Sequence, residues 1–449
     1  MSEPTHRDSA DMLVPLNRRN YILGIINGVA VAVGSRMADP MTILPLLLVR
    51  LTEAAWPVGL LQAIVIVGPA IPAVFLTPIV DTTPQKLSIF RKCSIIRFSS
   101  VMGMAAWVLL GHRLSALMVT VLLLVFFAIH IIASGMSNTA FVDIVAKSTP
   151  TTKRGTFWMW RQTIGALLTM TVAIPLISYL TGERWSERFP VNYGILMLIA
   201  ALVQGFSWFV YWFVHEPPGR VARHRLTPRQ QIARGVRFWR QDKRYRRMIR
   251  VLFLLSSTGA IGPFFTAFAV QVWHFPDTVA ATFVTVQMLA LMGGAVLQGW
   301  VSNRYGSRRV LILAASSALF AAVVATGAAL LAPVGGIEVL GYPLSYRLML
   351  LCLCFVGNGV FTAQLWVGYV GYIMDIAPAR KRPSYVGLAS LFVLPAGLVS
   401  LGYGWLAGSV GFEVVFGIAA ALAAAALVLS LRMSEPRDEL TAEQLEAFS

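Results

Sequence analysis

Two opposite charges interrupt the first long apolar stretch of the chain, in the run Arg36-Met37-Ala38-Asp39-Pro40. A charge at mid-depth in a hydrocarbon layer is costly, and residues kept there usually serve a site. Three positions apart on a helix, the two side chains share a face. Asp39 is suited to carrying a proton, and Arg36 to gripping a carboxylate or phosphate with its forked guanidinium. The same pair could instead be an internal ion pair that makes the segment tolerable to lipid, or could lie nearer the outer face. His130, midway along another apolar stretch, carries the imidazole, whose charge change falls nearest neutral pH. Gln62, Asn138, Gln287, Asn358 and Gln364 are further polar points, and Trp366 and Tyr369 follow Asn358 on the same stretch. Such a mixture suits a pocket for an organic solute, although amides also join helices to one another.

These residues need a scaffold that tolerates lipid. Of 449 residues, 57% are hydrophobic and only 13% charged, about half the charged fraction of a soluble domain. That composition excludes a soluble globular chain. Crossing about 30 Å of hydrocarbon takes roughly twenty apolar residues, and the chain offers twelve such spans. The first six cover about Asn20–Val49, Pro57–Val80, Cys93–Leu110, Ala116–Val142, Thr156–Leu180 and Tyr193–Val214. The second six cover about Ile249–Trp273, Thr278–Val301, Val310–Leu331, Leu348–Met374, Tyr385–Ala407 and Phe412–Leu431. Prolines 40, 45, 69, 72, 175, 263 and 395 fall inside spans, where bends are tolerated if neighbours or water satisfy the freed backbone.

The net charge of +17 does not indicate nucleic acid, because its placement follows the membrane. One alternate set of connections holds Arg18, Arg19, Lys86, Arg91, Lys92, Lys147, Lys153, Arg154, Arg304, Arg308, Arg309, Arg380, Lys381 and Arg382, and the central connection adds twelve between Arg220 and Arg250. The other set keeps Arg50, Arg113, Arg184, Arg188 and Arg347. Basic loops stay on the cytoplasmic side, so both termini are expected there. No cleavable signal is visible, and the first span is expected to act as an uncleaved anchor. Absence of any Asn-x-Ser/Thr sequon suits a bacterial inner membrane.

The expected organisation is a tail at 1–19, spans at 20–214, a linker at 215–248, spans at 249–431 and a second tail at 432–449. Within the linker, Ile232, Val236 and Trp239 recur at helical spacing among arginines and predict an amphipathic helix on the inner leaflet. Cys93, Cys352 and Cys354 offer no disulfide framework and read as small apolar fillers.

The two halves repeat one another. After span 2 comes Asp81 with Lys86, and after span 8 come Gly299, Asn303, Arg304, Gly306, Arg308 and Arg309. After span 4 the chain reads Asp143-Ile144 and then Lys153-Arg154-Gly155. After span 10 it reads Asp375-Ile376 and then Lys381-Arg382-Pro383. On these loops the chain resembles the major facilitator superfamily over about Asn20–Leu431. The resemblance implies an all-α integral membrane protein of about twelve transmembrane helices in two pseudo-symmetric six-helix bundles. It also implies a monomeric secondary transporter of a small organic solute, driven by a proton or solute gradient. Asp81 would then meet the start of span 11 and Asn303 the start of span 5, closing the cytoplasmic side, with Asp143 and Asp375 near Arg154, Arg304 or Arg382. The exporter motifs of the superfamily are not matched in spans 4 and 5, and uptake of an organic anion is narrowly favoured on Arg36 alone. An exporter of drugs or metabolites, or a non-transporting receptor or assembly protein of the same fold, are the alternatives. No phosphate-cradling loop, metal-ligand spacing or catalytic constellation is present, so no enzyme, cofactor or metal is expected.

Overall fold

A computed structural model describes residues 17–75, 83–218, 227–331, 334–339, 342–377, 385 and 388–435, with the side chains of 73–75, 151, 152, 154, 155, 228, 231, 339 and 342–344 excepted. The helices, in chain order, are α1 (Arg18–Arg36), α2 (Ile43–Thr52), α3 (Trp56–Val67), α4 (Ala70–Phe75), α5 (Leu87–Leu109), α6 (Ala116–Ser148), α7 (Thr151–Leu168), α8 (Ile174–Leu180), α9 (Glu183–Ser186) and α10 (Val191–Tyr211). They continue as α11 (Pro228–Gln241), α12 (Lys243–Gly259), α13 (Gly262–Gln271), α14 (Val279–Tyr305), α15 (Ser307–Leu331), α16 (Tyr346–Ile376), α17 (Leu394–Ser409) and α18 (Phe412–Leu431). A short antiparallel hairpin, β1 (Gly336–Val339) with β2 (Tyr342–Ser345), joins α15 to α16.

Ten helical stretches among the described residues are long and apolar enough to cross a membrane. They correspond to spans 3 to 12. Spans 1 and 2, expected as continuous, are broken instead: α1 and α2 are separated by Met37–Thr42, and α3 and α4 by Gly68–Pro69. Pro40 explains the first break, because proline lacks the N–H that would bond back to Arg36 and pushes Asp39 out of helical geometry. Span 7 breaks between α12 and α13 just ahead of Pro263, and span 11 contains a 3-10 turn at Ser390–Val393 ahead of Pro395. In span 5 a π segment, Thr169–Ala173, joins α7 to α8 ahead of Pro175; a missing N–H at 175 frees a carbonyl in that turn. The linker carries the helix α11, and α12 begins at Lys243, so the first turns of span 7 hold arginines.

The chain falls into two compact units, Met1–Asp39 with Gly68–Pro228, and Pro40–Val67 with Arg229–Ser449. Segment 40–67 packs within the second of these units. In the first unit α5 lies against α6 and α10, and α1 against α7 and α10. Phe90, Phe141 and Tyr211 cluster at its core, with ring centroids 4.9 and 5.0 Å from the tyrosine. In the second unit α15 buries an alanine face (Ala314, Ala318, Ala321, Ala325 and Ala328) against α16 and α18. Small side chains let apolar helices approach without a hydrophobic drive between them. Gly59 and Gly404 do the same for α3 and α17: a Cβ on Gly59 would sit 2.7 Å from the Ser400 carbonyl oxygen, whose own hydroxyl donates to the Gly59 carbonyl at 3.0 Å.

The repeat is visible in local chemistry too. Spans 4 and 10, the long helices α6 and α16, both start on a serine whose Oγ accepts from the third amide on: Ser115 from Met118, and Ser345 from Leu348. Each cap satisfies one of the amides that a helix start leaves open.

Candidate functional site

The first break presents the pair found in sequence. Arg36 ends α1, and its Nη1 donates to Asp39 Oδ2 at 2.7 Å. The carboxylate is buried, with 5% of its side chain exposed, while the guanidinium keeps 24%. The spacing therefore delivered the contact, but on a helix end and the loop after it rather than along one helix face.

Two more arginines lie inside the spans of the first unit, and neither stood among the sequence candidates. Arg97 of α5 sits 4.2 Å over the Trp208 ring of α10, with its Nη1 at 3.5 Å from Ser137 Oγ. Its Nε and His130 Nδ1 are buried without a hydrogen-bond partner among the described residues, and the His130 ring lies 6.0 Å from Trp208. Arg161 of α7 donates to the Gly24 carbonyl and to Asn27 Oδ1 and stacks 4.7 Å over Phe141. Neither arginine belongs to an ion pair among the described residues. The signal that marks Arg36, a charge within an apolar run, was equally present for both.

The second unit holds the carboxamides. Gln62 of α3, Gln287 of α14, and Asn358 and Gln364 of α16 are all buried. Gln62 Oε1, Gln287 Oε1, Asn358 Nδ2 and both amide atoms of Gln364 find no partner among the described residues. Asn358 faces the break between α12 and α13, since a Cβ on Gly262 would lie 3.3 Å from its Nδ2 and 2.8 Å from Met41 Sδ. Thr266 of α13 donates to the Met41 carbonyl at 3.0 Å. The second unit thus brings Met41 of the first break up to the second break, with Asn358 beside them. Trp366 does not join this group. Two residues past Gln364 it points the other way, 61% exposed, edge-on to Tyr369 at 5.3 Å.

The loop motifs at the basic ends of the helices are organised by two glutamates that were not among the sequence candidates. Glu216, 4% exposed, accepts from the amides of Lys86 and Leu87 at 2.9 and 2.7 Å and pairs with Lys147 at 3.1 Å. It caps the start of α5, where an anion meets open N–H groups and the helix dipole. Glu435 accepts from the Arg308 amide at 3.1 Å at the start of α15, the repeat-equivalent helix. Both stand in a Glu-Pro step just after spans 6 and 12 (His215-Glu216-Pro217 and Ser434-Glu435-Pro436), a repeat that the sequence could have revealed.

The other loop residues are placed as follows among the described residues. Asp143 pairs with Lys86 at 3.0 Å and with Lys147 on the next turn. Asp375 accepts from Ser307 Oγ at 2.7 Å. Gly306 adopts φ +85°, which only glycine takes without strain, and packs on Glu435. Gly299 makes no close approach among the described residues. Asn303, Arg304 and Arg309 are exposed, with Arg304 against Tyr305, and Arg308 donates to the Leu431 carbonyl at 2.6 Å. Asp81, Arg382 and the side chain of Arg154 lie outside the described residues.

No protein-family model and no curated protein matches the sequence. Solved structures do match in fold. A point mutant of the nucleoside transporter NupG aligns with TM-score 0.68 and 12% identity over 92% of this chain and 99% of its own. A bacterial homologue of the iron transporter ferroportin, in its inward-facing state, gives 0.64 and 15% over 93% and 99%. The xylose transporter XylE from E. coli gives 0.61 and 12% over 92% and 98%. Nearly full coverage in both directions, with spans repeating in two halves, leads to one conclusion: the chain has the fold of the major facilitator transporters.

Proposed function

We propose that the chain is a secondary active transporter that moves a small organic anion across the membrane by alternating access, coupled to a proton or solute gradient. The observation that supports the anion is the distribution of charge. Arg36, Arg97 and Arg161 lie within the spans of the first unit against one carboxylate away from the span ends, Asp39, whereas the middle of every span in the second unit is uncharged. A guanidinium held without an acid in a low-dielectric setting favours a ligand that supplies the missing charge. Asp39, buried against Arg36, is the carboxyl available for coupling. The basic loops support a cytoplasmic position for both termini, and the inner membrane of a bacterium is the proposed location.

The buried carboxamides of the second unit favour a second reading, a neutral polar solute held by hydrogen bonds. Transporters named for a nucleoside and for xylose share the fold. One screen separates the two. The purified protein is heated with carboxylates, phosphate esters, sugars, nucleosides and drugs at two pH values, beside Arg36→Gln and Asp39→Asn. Stabilisation of wild type by an anion class, lost in Arg36→Gln, is the expected result. Stabilisation by neutral solutes alone, unchanged in Arg36→Gln, overturns the anion reading. In proteoliposomes Asp39→Asn is expected to abolish the response of uptake to an imposed pH gradient while leaving exchange of internal for external substrate.

A further inference from the structure

At the basic end of the second unit a groove of about 320 Å³ runs between α11, the start of α12 and the Ser390–Val393 turn. Its lining is apolar where the elements meet, through Trp239 of α11, Ile249 and Phe253 of α12, and Phe392. Arg240 and Arg250 line it as well; both are exposed and neither is in an ion pair among the described residues. The neighbourhood is strongly cationic. Between Arg229 and Arg250 the one acid is Asp242; its Oδ1 accepts from the amides of Arg244 and Tyr245 at the start of α12, and its Oδ2 from the Tyr385 hydroxyl at 3.4 Å.

The groove is built by packing. Phe238 stacks on Tyr385 with centroids 4.3 Å apart, Trp239 lies over Phe392 at 6.4 Å, and Gly235 backs onto Leu388. These contacts fasten α11 to the residues that precede α17. An apolar slot with two unpaired guanidiniums beside it, at the end of a spanning helix, is complementary to an amphiphile with an anionic head. A small free anion would use the arginines and leave the aromatic lining without a purpose.

We propose that this groove binds one anionic phospholipid of the leaflet at the basic end. Its phosphate lies on Arg240 and Arg250, and an acyl chain runs along Trp239, Phe253 and Phe392. The bound lipid ties the linker helix to the starts of spans 7 and 11, so the charge of the surrounding leaflet bears on both. This site is separate from the arginines of the first unit, and its test does not depend on any substrate.

The full chain in detergent is titrated with phosphatidylglycerol, phosphatidylcholine and inorganic phosphate. Retained lipid is counted by native mass spectrometry, and stabilisation is read by thermal shift. Phosphatidylglycerol is expected to bind and stabilise. Arg240→Gln with Arg250→Gln weakens it by about fivefold for each arginine, and Arg234→Gln with Arg237→Gln, which removes the same charge outside the groove, by clearly less. Val236→Trp fills the groove with both arginines in place and is also expected to displace the lipid. Equal binding of phosphatidylcholine, or equal losses in the two double variants, overturns the proposal. So does stabilisation by inorganic phosphate that survives Val236→Trp, which assigns the arginines to a free anion.

Discussion

Arg36 and Asp39 illustrate how far a residue pair can be read from spacing. Removing one partner of a buried pair leaves the other unpaired, at a cost of roughly 3–5 kcal/mol in soluble cores. Since Arg36 keeps a quarter of its side chain exposed, the lower end applies. Asp39→Asn is therefore expected to lose about 3 kcal/mol, and the double variant Arg36→Gln with Asp39→Asn to recover most of it. Chemical denaturation in detergent measures both, and a double variant no better than the single one would show that the two act separately. Glu216 makes a sharper case, because it serves two amides and a lysine at once. Glu216→Ala strips these partners and is expected to cost about 1–3 kcal/mol, seen as a drop in Tm, whereas Glu216→Gln, still an acceptor for the amides, loses less. The glutamate was legible as a repeated Glu-Pro step, but its partners 129 and 130 residues away were not.

At the scale of elements, hydropathy located the spans while proline chemistry decided their continuity. An apolar run such as Asn20–Val49 reads as one long helix, yet Pro40 divides it because a single missing donor outweighs the composition around it. Contact between elements rests on small residues. Gly59→Leu is expected to separate α3 from α17 and lower stability by about 1–3 kcal/mol or more, since any Cβ there meets backbone. Gly402→Leu, on α17 where the same addition meets nothing within 4 Å, is expected to stay within about 0.5 kcal/mol of wild type. Thermal unfolding of the two variants side by side distinguishes packing from a general intolerance of leucine. Similar losses in both would remove Gly59 as a point of contact.

For the molecule as a whole, the arrangement of charge predicts an orientation with the basic loops in the cytoplasm. In a background without Cys93, Cys352 and Cys354, a cysteine at Arg234 of the linker helix and another at Glu338 of the hairpin test it. A membrane-impermeant thiol reagent added to intact cells is expected to label Glu338→Cys at once, and Arg234→Cys only after permeabilisation. The reverse pattern would invert the topology and, with it, the proposed leaflet of the lipid groove. The twofold plan of the chain was visible in the paired loops, and the paired serine caps and glutamate caps extend it. The likeness to the nucleoside transporter, the ferroportin homologue and the xylose transporter follows from that plan, and at 12–15% identity it carries the fold and no substrate.

By itself the sequence determined that this chain lives in a bilayer, spans it in two repeated sets and carries a basic amphipathic helix between them. Each of those follows from composition, run length or loop charge, which lipid and water read locally. Only the tertiary structure decided that segment 40–67 packs within the second unit, that Asp143 pairs with lysines, that Trp366 turns away from the buried amides, and that Arg97 and Arg161 have no acid partner among the described residues. Those outcomes depend on which helix faces which, and that is set by packing between residues far apart in the chain.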